Sequence, residues 1–518
     1  MLSIKPFTNS MVLSVYQQIK FNIMKKVVLA LLVSFGTMVM AQKNDVEYYI
    51  KNAPFAYGEL VYPSIPSKMY NLKDFGGIAD GKTLNTKAFN DAIATISSKG
   101  GGRLVVPAGK WLTGPIEMKS VVDIHLQEGA LVQFTDDISQ YPVREYSPGK
   151  FDVTPPIWGN NLHDVAFTGT GVFDGAGEAW RPVKKSKLSS AQWLILLSKG
   201  GVLSDDGKVW WPSEAAKEGE RLSRIVAKKA NATIEDYKPL QHFLRPMMFT
   251  LSKVNKLLID GVTFRNSPKF IINPKQVTNM VISNAKIYNP GWAQNGDGID
   301  ISASKNVVIY NTYVNAGDDG ICMKSSGSPK DGEALLQNII IAECTVNEAH
   351  GGFVIGSNTD GGMKNIFVSN CTFDGSDNGI RVKSNSGRGG EVSNIYIQDI
   401  TMKNIKESAF TFDTSYADAP VGSTKESEDA QKTGDKIPYF HHFYINNINC
   451  ANAENAFHFL GMKEKAIQDL FFKNITLEKV ETEVEGDFAQ NINFENVKVN
   501  GSSNFKIPKK LEAAIIKK

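Results

Sequence analysis

The reading that decides the fold rests on NMVISNAKI (279–287), NVVIYNTYV (306–314), NIIIAECTV (338–346), NIFVSNCTF (365–373) and NIYIQDITM (394–402). Laid over one another from the first residue, offsets 1, 3, 6 and 8 are mostly apolar, as in Ile366, Val368, Cys371 and Phe373. Working outward, HFYINNINC (442–450), DLFFKNITL (469–477) and NINFENVKV (491–499) follow the pattern, and KLLIDGVTF (256–264) and DVAFTGTGV (164–172) precede it. Offset 5 is Asn in six of the ten copies: Asn284, Asn311, Asn370, Asn447, Asn474 and Asn496. Two short alternating runs joined by a polar bend read as two strands meeting at a corner. Asn suits the corner because it tolerates turn dihedrals and its side chain can satisfy backbone groups there. Stacked Asn residues would form a ladder.

Copies starting at 256, 279, 306, 338, 365 and 394 are 23 to 32 residues apart, and most intervals hold no helix-length amphipathic segment. A βαβ sheet or a leucine-rich horseshoe needs a regular second element per repeat. A parallel β-helix needs only short strands and turns. The sequence therefore predicts an all-β chain, a right-handed parallel β-helix built as a single-stranded solenoid. Its open N-terminal end needs a cover, and a helix from about Thr86 to Lys99 fits, N-capped by Asn85 and stopped by Gly100-Gly101-Gly102. Cys344 and Cys371 share offset 6 and should stack inside without a disulfide. Cys322 and Cys450 read as small buried residues, since the cysteine spacings match no zinc pattern.

The chain has 518 residues, 42% of them hydrophobic, which excludes a disordered protein. A net charge of +3 without a basic block gives no reason to expect nucleic acid. Residues 24–41, MKKVVLALLVSFGTMVMA, match a signal peptide: Lys25 and Lys26, an apolar run too short for a comfortable membrane span, and a small-residue cleavage site before Gln42. Translation is expected to begin at Met24. The domain reading is an extension and signal over 1–41, then one β-helix over 42–518 with insertions at about 175–245 and 413–437. The mature protein is expected to be an exported monomer, periplasmic or extracellular, with no membrane span.

A second alignment carries chemistry: NGDGIDIS (295–302), GDDGICMKS (317–325), AHGGFVIGS (349–357) and NGIRVKS (378–384). Registered on Gly298-Ile299, Gly320-Ile321, Gly352-Phe353 and Gly379-Ile380, Asp297 and Asp319 share one slot, and Asp318 and His350 share the slot before it. Arg381 and Lys383 alternate on the strand, on the face of Lys324 and Asp300. With rungs about 4.8 Å apart, the set spans roughly 15 Å, room for two or three sugar units. Crowded carboxylates repel, so at least one should have a raised pKa, which suits a general acid facing an ionised base. Arg381 and Lys383 read as a fork for an anionic group. Trp158 and Trp292 are candidates for stacking on sugars or for packing.

Together Asp297, Asp318-Asp319, His350 and Arg381-x-Lys383 resemble the four ordered motifs of the polygalacturonases, glycoside hydrolase family 28. DFGGIADGKTLNTKAFNDAI (74–93) and GGGRLVVPAGKWLTGPI (100–116) are similar to that family as well. The resemblance covers about residues 70–505. It implies an inverting hydrolase of α-1,4-linked galacturonic acid with no cofactor or metal, acting on pectic polysaccharide or oligogalacturonides. By resemblance Asp318 is the proton donor, Asp297 and Asp319 activate water, and His350 supports the donor. Arg381 and Lys383 hold a galacturonate carboxylate, and Asn295 and Lys324 complete the candidate binding set. Gly296 and Ala349 depart from the family's usual motif residues but leave the active residues in place.

The insertion at 175–245 carries Trp180, Trp193, Trp210 and Trp211 and is expected to pack as a wall that closes one end of the groove, favouring exo action. Alternatives are an endo-polygalacturonase or a rhamnogalacturonan or xylogalacturonan hydrolase. From other classes come a calcium-dependent pectate lyase and a non-catalytic β-helix adhesin.

Overall fold

The computed structural model describes residues 45–329, 332–416 and 436–517. The signal segment at 24–41 and most of the loop at 413–437 lie outside the described residues. Pro54–Lys518 forms one compact unit. Residues 45–51, in a separate N-terminal unit, are helical.

Each coil of the solenoid contributes three short strands, and each strand pairs in parallel with its counterpart on the next coil. One stack runs through Phe249–Asp260, Lys275–Ser283, Lys305–Tyr310, Leu336–Ala342 and Met363–Asp374. A second runs through Thr263–Arg265, Lys286–Tyr288 and Tyr313–Asn315. The third holds Ile299–Ser302, Asp319–Lys324, Gly351–Ile355 and Asn378–Lys383. This is the right-handed parallel β-helix expected from the repeat. The apolar offsets point inward, so Ile339, Ile366 and Ile395 stack on one another and are fully buried. Each such side chain stabilises the fold by about 1.5–3 kcal/mol relative to exposure.

The corners explain the repeat's polar positions. All ten offset-5 residues have left-handed backbone, from Asn311 at φ +46° to Gly169 at φ +96°. Asn is the side chain most at ease there after Gly. The ladder forms: Asn311 Nδ2 donates to Asn284 Oδ1 at 2.6 Å and Asn496 to Asn474 at 2.7 Å. Where the copy has an acid instead, it accepts in the same way, as Glu343 does from Asn370 at 3.2 Å. Offset 0 forms a second left-handed column, from Asn491 at φ +50° to Lys256 at φ +69°. It has its own ladder, with Asn338 donating to Asn306 and Asn365 to Asn338, each at 3.1 Å.

The N-terminal cap is the helix Thr86–Ser98, which buries Ala88, Phe89, Ala92, Ile93 and Ile96. Asn85 differs from its expected role. It occupies the N-cap position, but its side chain makes no capping bond. Instead its Oδ1 accepts from Ile78 N, and its Nδ2 donates to the carbonyls of Ile78, Thr83 and Leu112. The loop beneath the helix offers more unsatisfied backbone groups than the helix end does, and Asn85 serves those. All four cysteines are free and buried.

The insertion at 175–245 folds into the three-stranded sheet Val183–Lys184, Val209–Trp211 and Val202–Leu203, with helices Ser190–Ser198 and Glu214–Val226. Its four tryptophans are buried, Trp180 against Tyr141 and Val153, and Trp193 and Trp210 against Val183.

Candidate active site

The register of the third stack places the acids. Ile299 pairs with Ile321, Ile321 with Phe353, and Phe353 with Ile380, as the Gly-apolar alignment requires. The glycines of that step are sterically forced: a Cβ on Gly298 would come within 2.4 Å of Val314, and one on Gly352 within 2.3 Å of the Phe373 ring. A bulkier residue would push the turn outward and take the preceding carboxylates with it. Asp297, Asp318, Asp319, His350, Arg381, Lys383, Asn295 and Lys324 all line one cavity of about 800 Å³. One oxygen from each of Asp297, Asp318 and Asp319 lies within 4.8 Å of those from the other two.

The cations are bound more closely to the acids than a fork open to solvent would be. Lys383 Nζ lies 2.9 Å from Asp319 Oδ2 and is almost fully buried, and Arg381 Nη1 lies 3.7 Å from Asp319 Oδ1. Lys324 Nζ sits 3.0 Å from Asp300 and 3.5 Å from Asp297. The reason is electrostatic: carboxylates packed on successive rungs need counter-charges, and the nearest outward positions on the same strands supply them. Asn295 Oδ1 accepts from Arg245 Nη2 at 2.8 Å. Tyr416 lies under both Arg381 and Lys383, at 5.4 and 4.8 Å from the ring centre.

The expected raised pKa falls on Asp297 and Asp300 rather than on Asp318. Burial, with the neighbouring charges of Asp300 and Asp318, holds Asp297 well above the usual carboxylate range against the pull of Lys324. Burial pushes Asp300 up to about 6. Burial acts on Asp318 too, but the hydrogen bond from His350 and the charge of Lys383 outweigh it, so the net shift is downward. Asp319 is also driven low, because Lys383, Lys324 and Arg381 together overcome its burial and keep it ionised. His350 Nδ1 lies 3.0 Å from Asp318 Oδ1, while its Nε2 meets Lys187 Nζ at 3.2 Å and Asp377 at 3.8 Å. Facing a carboxylate, Nδ1 carries the hydrogen that it donates to Asp318.

Several cavity residues were not anticipated. Lys187, Trp211, Phe243 and Arg245 come from the insertion or its end, and Lys269 and Tyr416 from loops. Arg245 reaches the site with Nη1 donating to Gln294 O at 2.6 Å, and it feels the charges of Asp318 and Asp297. None of these belongs to the repeat, so periodicity gave no signal for them. Trp292 lines the cavity, whereas Trp158 lines a different one.

The model for "Glycosyl hydrolases family 28" matches residues 191–510. A probable polygalacturonase of Vitis vinifera is 30% identical over 366 residues, 67% of this chain and 64% of the relative. The chain thus spans just under two thirds of that relative's length. An exo-poly-alpha-D-galacturonosidase of Dickeya chrysanthemi is 28% identical over 462 residues, 85% of this chain and 73% of that protein. Among solved structures, a hyperthermoactive exopolygalacturonase from Thermotoga maritima superposes with a TM-score of 0.70 at 26% identity, covering 89% of this chain and 96% of that one. With the four motifs converging in one cavity on a β-helix and the family match extending over most of the solenoid, the chain belongs to family 28 of the glycosyl hydrolases.

Proposed function

We propose that the chain hydrolyses α-1,4-galacturonosidic bonds of polygalacturonan from a chain end. The observation that carries this reading is the shared cavity. It places three acids beside Arg381, and it draws Lys187, Trp211, Phe243 and Arg245 from the insertion or its end. A bare solenoid groove is open at both ends, whereas here the insertion supplies part of the cavity wall, and its Trp193 and Trp210 are packed on Val183. Two relatives whose names specify exo action, from Dickeya chrysanthemi and Thermotoga maritima, also match over most of the chain.

In this reading Asp318 protonates the leaving oxygen, and Asp297 and Asp319 activate the water. Lys383 keeps Asp319 ionised for that work. Asp297 holds the proton of the trio while the cavity is without substrate. A galacturonate carboxylate drawn in beside Arg381 and Lys383 offsets the Lys383 charge that helps to depress Asp318 and favours movement of the proton to the donor over the short distance between the acids. His350, fixed between Asp318 and Lys187, positions the donor. The family resemblance implies inversion, although the trio's oxygens lie closer together than the roughly 6.5–9.5 Å usual between inverting carboxyl groups. Proton NMR of the first product decides this: β-anomer supports inversion and initial α-anomer overturns it.

The signal segment at 24–41 supports export of the mature chain. No helix among the described residues is long and apolar enough to cross a membrane. The test of the function is digestion of polygalacturonan. Mono- or digalacturonate from the outset with a slow fall in viscosity is the expected result. Rapid loss of viscosity with mixed oligomers would mean internal cleavage, and an unsaturated ultraviolet-absorbing product would mean elimination.

A further inference from the structure

The outward face of the third stack continues toward the N-terminus beyond the acids. Lys324 pairs with Ser302, Ser302 with Lys275, Lys275 with Ser252, and Ser252 with Asn160. Lys275 therefore sits two rungs from Lys324, roughly 10 Å along the solenoid. Here the hairpin of Val143–Ser147 and Lys150–Val153 covers the sheet and encloses a second cavity of about 340 Å³. No residue lining it lines the catalytic cavity.

Three observations give this cavity a chemical character. The Arg144 guanidinium carbon lies 4.2 Å from the centre of the Trp158 ring, a cation–π contact. Among the described residues, no hydrogen bond or ion pair engages the charged ends of Arg144 or Lys275. A cation withdrawn from water without a partner is costly, and burial accordingly lowers the pKa of Lys275 against the pull of Asp152 and Asp300. The charges of Asp152 and Glu117 act on Arg144 and those of Asp152 and Asp300 on Lys275, but none of these acids makes an ion pair with either cation. Glu145 is exposed and already accepts from Gly149 N at 2.7 Å. Asp152, opposite Arg144 in the hairpin, is raised by burial despite Lys269, Lys275 and Arg144. Thr250 also lines the cavity, and its Oγ1 is buried without a hydrogen-bond partner. Two cations that make no ion pair, side by side in one cavity beside an aromatic ring, ask for a small ligand with a carboxylate.

We propose that this cavity is a second, non-catalytic site for a single uronate residue. Its carboxylate lies between Lys275 Nζ and the Arg144 guanidinium. The choice of uronate rests on the proposed substrate; the site itself rests on the cavity. Its volume is near the lower end for small-molecule pockets, about 300 Å³, which suits one sugar ring rather than a chain segment.

The test uses Asp318→Asn, which removes turnover, and isothermal titration with galacturonate. The expected result is two binding events per chain, reduced to one by Lys275→Met or by Arg144→Gln. The neutral sugar galactose should not reach the second site. With Asp318 intact, Lys275→Met should cleave digalacturonate at the wild-type kcat/KM. An affinity gel containing polygalacturonan separates the sources of the ligand. Weaker retention of Lys275→Met means a residue at a chain end, and unchanged retention with loss of the monosaccharide event means free sugar. A single event in the parent, or two events persisting in both cavity variants, overturns the proposal. Failure of the wild type to cleave galacturonan would instead overturn the proposed function and leave the binding result standing.

Discussion

Lys383 Nζ and Asp319 Oδ2 face each other at 2.9 Å, both side chains almost sealed from solvent, on strands two rungs apart. The lysine thus maintains a catalytic-site charge besides any it offers to substrate. Lys383→Met leaves Asp319 buried beside Asp297 and Asp318 with only Arg381 and Lys324 to hold it ionised. Breaking a buried pair costs about 3–5 kcal/mol. Turnover should fall at least about 100-fold, and the pKa of Asp319 should rise. Asp319 must be ionised to work, so the acid limb of the kcat profile should move to higher pH. A profile that keeps its acid limb while only KM rises would assign Lys383 to substrate alone.

Asp318→Asn should nearly abolish turnover in a protein that stays folded. The amide still accepts from His350 but has no proton to give the leaving oxygen, and general acid catalysis contributes about 10²–10⁴-fold. Reducing-sugar release and circular dichroism check it; a tenth of the wild-type rate would remove Asp318 from the donor role.

Arg381 is the more accessible of the two cations, at 18% side-chain exposure against 6% for Lys383. Arg381→Ala should weaken binding of galacturonan by about 2–3 kcal/mol through loss of a charge-assisted contact, and affect a methyl-esterified substrate far less. Equal losses of kcat/KM on the two substrates would show that Arg381 does not read the carboxylate.

Asp300 is fully buried, with its pKa raised to about 6. A carboxyl whose folded pKa exceeds its unfolded value holds a proton that the unfolded chain has already lost. Its contribution is therefore present at pH 4 and lost as pH rises through 6, on the order of 3 kcal/mol for a shift of about two units. Asp300→Asn removes that dependence. Measured by urea unfolding, the variant's stability relative to wild type should improve between pH 4 and pH 7. A difference that stays flat with pH would mean that Lys324 holds Asp300 ionised throughout.

The solenoid was legible because its constraints are local and repeated. Asn284, Asn311 and Asn370 mark corners in the sequence because left-handed backbone selects them there, and the Gly-apolar step fixed the register of all four motifs. The ladder through Asn338 and Asn365 carried the same signal at offset 0. The allocation of charge could not be read in this way. Register puts Lys383 and Lys324 on the acids' face, but only the packed side chains decide that each pairs with an acid. Nor could it be read that His350 depresses Asp318 while Asp297 stays high, since that balance depends on burial. Lys187 and Arg245 arrive by long-range packing of a non-repeating insertion, for which one sequence holds no periodic cue.

The two left-handed columns turn each coil into a ruler with one free end. From offset 0 to offset 8 the chain is of fixed length, because a residue gained there would move a corner off its column and reverse the facing of every side chain beyond it. Beyond offset 8 the turns on either side of the third strand vary in length, and the copies starting from Lys256 to Asn394 are accordingly 23 to 32 residues apart. The insertion before Lys256 enters in that variable stretch. New loops can therefore be grafted or trimmed in the turns of that stretch, such as the one between Lys383 and Glu391, outside both the measured nine residues and the paired strand Asn378–Lys383. The same graft placed between Asn365 and Phe373 should prevent the solenoid from propagating.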